Sequence, residues 1–127
     1  MKKKNKVYIL KKIVVPIYNV DLYVVETNNI GYAIKRKDMR KAFGNIKGAE
    51  GAGALAIYNR RNFAVCFERG YVCLEPVSHE VLHITHRILD WTSSNFDNEH
   101  HEQACMLHGY LMKKVAKILN LKVKRKK

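Results

Sequence analysis

Two histidines four residues apart, His79 and His83, constrain the fold of this chain more than any other feature. They lie in a stretch whose apolar residues recur at helical spacing, which predicts a helix from Pro76 to about Trp91. Proline is favoured at an early helical position, and this supports a start there. Residues four apart share one helix face, so we expect the two imidazoles to reach the same ion.

The stretch His79-Glu80-Val81-Leu82-His83 carries the donors of a catalytic zinc site. Zinc binds histidine nitrogens at about 2.0–2.1 Å, and a catalytic zinc keeps three protein ligands and one open position for water. A carboxylate beside the first ligand can accept a proton from that water without binding the metal. The pattern therefore predicts Zn²⁺ as cofactor, His79 and His83 as metal ligands, and Glu80 as the catalytic general base.

The third zinc ligand has to come from a second element. A further helix is predicted from about 99 to 119, and four donors crowd its start: Glu99, His100, His101 and Glu102. We favour Glu102, because a helix that returns antiparallel after a short polar loop can bring its first turn back beside the histidine helix. His101 is the alternative ligand, and His86, three residues past His83, is a weaker one.

Two more features of the last helix have a functional and a structural interpretation. Tyr110, eight residues past Glu102, could face the cleft as a transition-state stabiliser, but a core or rim aromatic is the favoured interpretation. His101, Cys105 and His108 form a stripe at helical spacing. Such a stripe can bind a second metal, but surface and helix-packing positions account for it equally.

The remaining sequence predicts an α+β fold in a single domain over residues 1–127. The expected elements are strands at 13–18 and 21–26, a helix at 33–43, a hairpin at 54–58 and 63–67, a strand-like stretch at 70–74, and the two long helices. The small, mostly antiparallel sheet is expected to pack on the histidine helix and the C-terminal helix.

The formal net charge of +13 is concentrated in two predicted basic tails. Residues 1–12 hold six lysines and residues 122–127 hold five Lys and Arg, which leaves the rest near +2. Such tails can contact nucleic-acid phosphates without reading sequence. The body has neither an aromatic RNA-binding motif nor a helix-turn-helix pattern, so the tails are the part of the chain that could contact nucleic acid, and such contact would be nonspecific.

Membrane association and export are not expected. No apolar run is long enough to span a bilayer, and Lys11 and Lys12 interrupt the apolar stretch near the N-terminus, so we expect a cytoplasmic protein. The cysteines Cys66, Cys73 and Cys105 form no Cys-x-x-Cys pair. Neither a disulfide framework nor a thiolate zinc site is therefore expected.

An apolar strand at 62–70, the helix with His79-Glu-Val-Leu-His83, and a helix reading Glu-Gln-Ala-Cys-Met-Leu-His-Gly-Tyr-Leu at 102–111 follow one another. This order resembles the small zincin-like proteins encoded by bacteriophages and prophages, and more distantly the gluzincins. The resemblance implies a minimal zincin-like domain and a zinc metallopeptidase acting on protein or peptide. It implies His79, His83 and Glu102 as ligands, Glu80 as base, and a place in the host cytoplasm or the virion.

One position departs from the gluzincin pattern. Thermolysin-like gluzincins have an aspartate four residues after the glutamate ligand, where it hydrogen-bonds a ligand histidine; here that position is Met106. The anchor that fixes the tautomer of a ligand has to come from elsewhere.

Three functions follow from these patterns. The first is a zinc endopeptidase that holds peptide along the hairpin edge at 54–67. The second is a non-catalytic interaction protein, or a part of the virion, in which zinc locks two helices together. The third is a nucleic-acid-associated protein that acts through the basic tails.

Overall fold

The computed structural model of the chain describes residues 4–49, 51–92 and 101–121. In chain order its elements are β1 (Val7–Val15), β2 (Val20–Thr27), α1 (Ile30–Ile34), α2 (Lys37–Phe43), β3 (Ala54–Asn59), β4 (Asn62–Glu68), a 3₁₀ turn (Arg69–Tyr71), α3 (Leu74–Trp91) and α4 (His101–Ile118). The predicted α+β class is confirmed.

The four strands form one mixed sheet in the order β1-β2-β4-β3. The outer pairs are antiparallel, and Val15 pairs with Val20 beside the turn between β1 and β2. The central pair, β2 and β4, is parallel, with Leu22 opposite Phe63. The sheet therefore ends in β1 on one side and in β3 on the other.

Helices cover both faces of the sheet. Successive strand side chains point to opposite faces, so Phe63 and Val65 face the core with α3 and α4, whereas Ala64 and Cys66 face the core with α1 and α2. The two central strands are apolar on both faces for this reason.

Helix α3 lies along β3 and runs in the same direction. His79, in the first half of α3, lines a groove with Ala54 at the start of β3. Arg87, in the second half, places its guanidinium 4.6 Å from the centre of the Tyr58 ring near the end of β3. The start of α3 therefore lies at the start of the edge strand.

Helix α4 lies along β1 and runs in the opposite direction. The Gln103 amide near its start donates to the Tyr18 hydroxyl at 3.0 Å, beyond the end of β1. Lys117, near its end, lines a groove with Lys11 of β1. Because β1 and β3 point the same way in the sheet, α3 and α4 are antiparallel.

Three predicted boundaries differ from the structure. Residues 7–12 of the expected N-terminal tail belong to β1, where an edge strand tolerates exposed lysines. The helix predicted at 33–43 is two short helices, and the Asn29 side chain caps the first by accepting from the Tyr32 amide. The stretch at 70–74 is a 3₁₀ turn leading into α3 rather than a strand.

Within the described residues, none of the helices combines the length and the apolar character that crossing a bilayer requires.

Candidate metal centre

The side chains of His79 and His83 converge on one point. Their Nε2 atoms lie 3.1 Å apart, and their rings meet edge to face with centroids 4.7 Å apart. Two nitrogens bound to one tetrahedral zinc at about 2.0–2.1 Å each are about 3.3 Å apart, so the pair already has nearly this spacing. The same distance suits a hydrogen bond between a protonated and an unprotonated ring nitrogen.

The histidine pair lies on the solvent side of α3. Val81, Ile84 and Ile88 are buried against the sheet, whereas both histidines are exposed, and the His79 side chain is 66% accessible. The helical period places residues 79 and 83 opposite the buried stripe. An ion or a substrate can therefore reach the ring nitrogens without any opening of the core.

Glu80 lies beside the pair but is more enclosed. Its side chain is 13% exposed, and its Oε2 atom is 3.9 Å from Nε2 of His79. It lines both grooves that run between α3 and β3. The carboxylate is thus close to an ion held by the histidines and close to anything that lies along β3.

The thiol of Cys66 in β4, on the face of the sheet that packs against α1 and α2, takes no part in the site. Burial raises the pKa of this thiol to about 12, and the nearby Glu80 carboxylate adds to the rise. The thiolate is the form that binds metals and attacks carbonyls. Cys66 therefore remains a protonated core residue, as the sequence predicts for a small buried hydrophobe.

The two grooves follow the outer edge of the sheet. One, of about 640 Å³, is lined by His79 and Glu80 together with Tyr71, Cys73 and Ala54. The other, of about 180 Å³, continues past His83 and Arg87 along the second half of β3. Because β3 is the last strand of the sheet, one row of its backbone groups has no neighbouring strand in the described structure.

The predicted ligand Glu102 is not brought to the histidine pair. His108 of α4 contacts Thr85 of α3, with Nδ1 and Oγ1 3.3 Å apart. Glu102 precedes His108 by six residues. Because α4 is antiparallel to α3 and rises about 1.5 Å per residue, Glu102 lies about 9 Å from the level of Thr85, toward the end of α3. His83 precedes Thr85 by two residues and lies about 3 Å from the same level, toward the start of α3. About 12 Å along the helix axes therefore separate Glu102 from His83.

Among the described residues, no group of three or more His, Cys, Asp and Glu side chains could hold a metal ion. His86 is exposed on α3 and does not complete such a group. Glu99 and His100 lie outside the described residues. The structure thus brings the side chains of His79 and His83 together, whereas metal binding by this pair and the role of Glu102 stay predictions.

The stripe proposed for a second metal divides into two parts. Nε2 of His101 is 3.6 Å from the Cys105 thiol, and both residues are exposed on α4. His108 is directed to Thr85 instead, and burial lowers its pKa. His101 therefore forms a local pair with Cys105 and joins no larger group in the described residues.

Tyr110 lies in another part of the molecule. It lines a cavity of about 430 Å³ between α4 and the turn that joins β1 to β2, together with Pro16, Tyr18 and Met106. It lines neither groove beside Glu80. The face of α4 that carries Tyr110 packs toward β1, so the residue occupies the rim position that was its structural alternative.

Sequence reasoning missed the residues that wall the grooves. Tyr71 and Cys73 come from the segment between β4 and α3, and Tyr58 and Arg87 close the second groove. The sequence feature that relates to the position of Tyr71 is Gly53, because the tyrosine ring packs where a Cβ atom of residue 53 would lie. A glycine in a Gly/Ala-rich stretch is equally typical of a flexible connection, so the sequence alone does not predict that Gly53 packs against Tyr71.

The histidine pair, the enclosed carboxylate and the free strand edge together are what the described structure offers to a ligand. Comparisons with models of protein families, with curated proteins and with solved structures found no match to this chain.

Proposed function

We propose that this chain is a zinc-dependent peptide hydrolase in which His79 and His83 bind the metal and Glu80 is the general base. The observation that carries the proposal is the 3.1 Å approach of the two Nε2 atoms beside an enclosed carboxylate. Two nitrogen donors and one nearby base supply two of the three protein ligands, and the general base, of a hydrolytic zinc site. The third protein ligand has to come from another residue.

Each of the three residues has a distinct role. The histidines hold the ion on the exposed face of α3, where a bound zinc polarises a carbonyl and lowers the pKa of water. Glu80 accepts the proton of the attacking water and delivers it to the nitrogen of the leaving amine. Its position between both grooves supports this role, because one carboxylate oxygen can face water while the substrate lies along β3.

The free edge of β3 supports an extended peptide as the substrate class. A peptide that adds to an edge strand is held by backbone hydrogen bonds, which do not depend on its sequence. It would then lie over the groove lined by His79, Glu80 and Tyr71. Side-chain preference would come from the groove walls, where Tyr58 and Arg87 flank one end.

Zinc content and peptide cleavage, measured on the purified chain, test the proposal. Wild type is expected to bind near-stoichiometric zinc and to cleave a peptide library. The H79A/H83A variant is expected to lose both zinc binding and peptide cleavage. Glu80→Gln is expected to keep zinc and to lose at least about a hundredfold in rate, the usual worth of a general base.

Asp90→Asn is the matched control, since it removes an exposed ionisable side chain of the same helix that is not a candidate ligand. It is expected to leave zinc content and cleavage unchanged. Equal zinc content in wild type and H79A/H83A would end the proposal. Glu99→Gln, His100→Ala and Glu102→Gln, assayed in parallel, identify the third ligand by which of them lowers zinc affinity.

The non-catalytic alternative, in which zinc locks α3 to α4, has weaker support. It needs a ligand from α4 at the level of the pair, yet the residues of α4 buried against the core are apolar: Ala104, Leu107, Leu111 and Val115. A wild-type chain whose melting temperature rises strongly with zinc, but which cleaves no peptide, would favour this alternative.

A further inference from the structure

The positive charge of the chain belongs to two segments that are distant in sequence. Residues 1–20 and 103–127 hold fourteen of the 24 Lys and Arg and none of the eleven Asp and Glu. Residues 21–102 hold the other ten cations and all eleven acids, so their net charge is −1. The excess charge is therefore a property of β1 and α4 with their adjoining residues.

The fold places β1 and α4, which belong to the described parts of these segments, side by side. Lys11 of β1 and Lys114 and Lys117 of α4 line one groove of about 380 Å³. The same groove has an aliphatic wall made of Ile9, Ile13 and Ile118. This group of three lysines and three isoleucines is called the β1–α4 face below. Strand pairing and helix packing thus convert two basic stretches into one surface.

No acidic side chain in the described part of the chain forms an ion pair with the lysines of the β1–α4 face. Among the described residues, the ion pairs within 4 Å are Arg36–Asp38, Arg69–Glu26 and His79–Glu80, and none of them includes Lys11, Lys114 or Lys117. Lys114 instead lies 5.7 Å from the centre of the Tyr110 ring. The three ammonium groups are free to bind an external anion.

We infer that the β1–α4 face binds the phosphate backbone of nucleic acid. Lysine ammonium groups recognise phosphate as point charges and need no fixed geometry. The groove has aliphatic rather than aromatic walls, so it offers no platform on which bases stack. The bound element is therefore the backbone, and recognition is independent of base sequence.

The face is separate from the histidine pair. The β1–α4 face lies at the β1 edge of the sheet, whereas His79 and His83 lie beside β3 at the opposite edge. Nucleic acid and peptide can therefore bind the same molecule together. This inference does not rest on the proposed hydrolase activity, and either can fail without the other.

Fluorescence anisotropy with a short labelled DNA duplex, across a series of salt concentrations, tests the inference on the full chain. The K11Q/K114Q/K117Q variant is expected to raise Kd at least about tenfold at low salt and to lower the slope of log K against log salt by up to about 2.7, about 0.9 for each lost phosphate contact. Circular dichroism checks that the variant is folded; if it is not, K117Q and K114Q are measured singly.

The R36Q/K37Q/K41Q variant is the matched control. It removes three positive charges from an exposed group on α2 and its N-cap, and it is expected to change Kd much less than the face variant. Equal losses in the two variants would overturn the inference, because net charge alone would then explain binding. A strong preference among duplexes of different sequence would also overturn it.

An anionic membrane surface is the competing partner for a lysine face. Vesicles containing phosphatidylserine, and the duplex, are assayed with the same variants. Loss of vesicle binding in the face variant with unchanged duplex binding would overturn the assignment to nucleic acid. The same assay with duplex RNA and with single-stranded probes shows which backbone binds most tightly. The face variant is expected to bind at least one of these nucleic acids more weakly than wild type does.

Discussion

The Nδ1 atom of His108 lies 3.3 Å from the hydroxyl oxygen of Thr85, and this contact sets the level at which α4 lies against α3. Thr85 donates its own proton to the Val81 carbonyl at 3.0 Å, so the histidine N–H is the donor in the contact between the helices. With this register, Glu102 stands beside the last turn of α3 instead of beside the histidine pair.

The same contact predicts that the fold weakens in mild acid. Burial lowers the pKa of His108 below its ordinary value of 6.5, so the unfolded chain binds this proton more readily than the folded one. The free energy of unfolding should therefore fall as pH drops below 6.5. Urea denaturation at neutral and at acidic pH measures this, and the fall should be smaller in His108→Gln.

His101→Gln, which changes an exposed histidine of the same helix, is the control for that measurement. It should retain the wild-type dependence on pH. If His108→Gln and wild type lost stability equally on acidification, the burial of His108 would not be the origin of the effect.

The three cysteines should differ in reactivity. Cys73 and Cys105 are exposed, whereas Cys66 is buried and its pKa is raised to about 12. Iodoacetamide at about pH 8 should therefore modify two thiols of the folded chain and all three in denaturant, as read by mass spectrometry. Rapid modification of Cys66 in the folded protein would contradict its place in the core.

Gly53→Ala should disturb the groove beside the histidine pair. An added Cβ would overlap the Tyr71 ring, so the ring must leave its position. Tyr71 is exposed and its ring can turn into solvent, so the loss of stability should be no more than about 0.5 kcal/mol. Thermal denaturation gives the loss of stability, and tyrosine NMR shifts follow the ring. Gly70→Ala, next to Tyr71 but with open space around its Cβ, should leave the ring in place.

Arg69→Ala should destabilise the segment that leads into α3. The Arg69 Nε donates to Glu26 Oε2 at 2.8 Å, and the guanidinium stacks 3.5 Å from the centre of the Tyr8 ring. Glu26 is only 8% exposed, so loss of its donor leaves a buried carboxylate unpaired, at about 1–3 kcal/mol. Arg69→Lys keeps the charge and should lose less than half as much; equal losses would mean that stacking dominates.

The sequence predicted the elements that depend on local pattern. The hairpin around residues 59–62 is present as β3 and β4, because two apolar β-branched and aromatic stretches flank a short polar turn. The histidine helix is present as α3 and begins two residues before Pro76, whose missing N–H costs nothing in a first turn. The spacing along one helix is enough to bring the side chains of His79, Glu80 and His83 close together.

Features that depend on tertiary packing could not be read in the same way. The parallel pairing of β2 with β4 joins strands that are far apart in sequence, and no local signal marks it. The level of Glu102 depends on which apolar residues of α4 fit against α3, and their helical spacing specifies the buried face of α4 but not this level. The β1–α4 face is invisible for the same reason, since its lysines come from opposite parts of the sequence.

The parallel centre of the sheet also has a consequence for how the chain folds. Asp21 pairs with Asn62, about forty residues away. Pairing of β2 with β4 therefore requires a long loop to close, and the chain loses the entropy of loop closure before any strand pairing compensates for it. The two antiparallel hairpins are local and can form early, but neither buries both of its faces alone. We therefore expect the rate-limiting event to be the docking of the two preformed hairpins, with a transition state centred on β2 and β4.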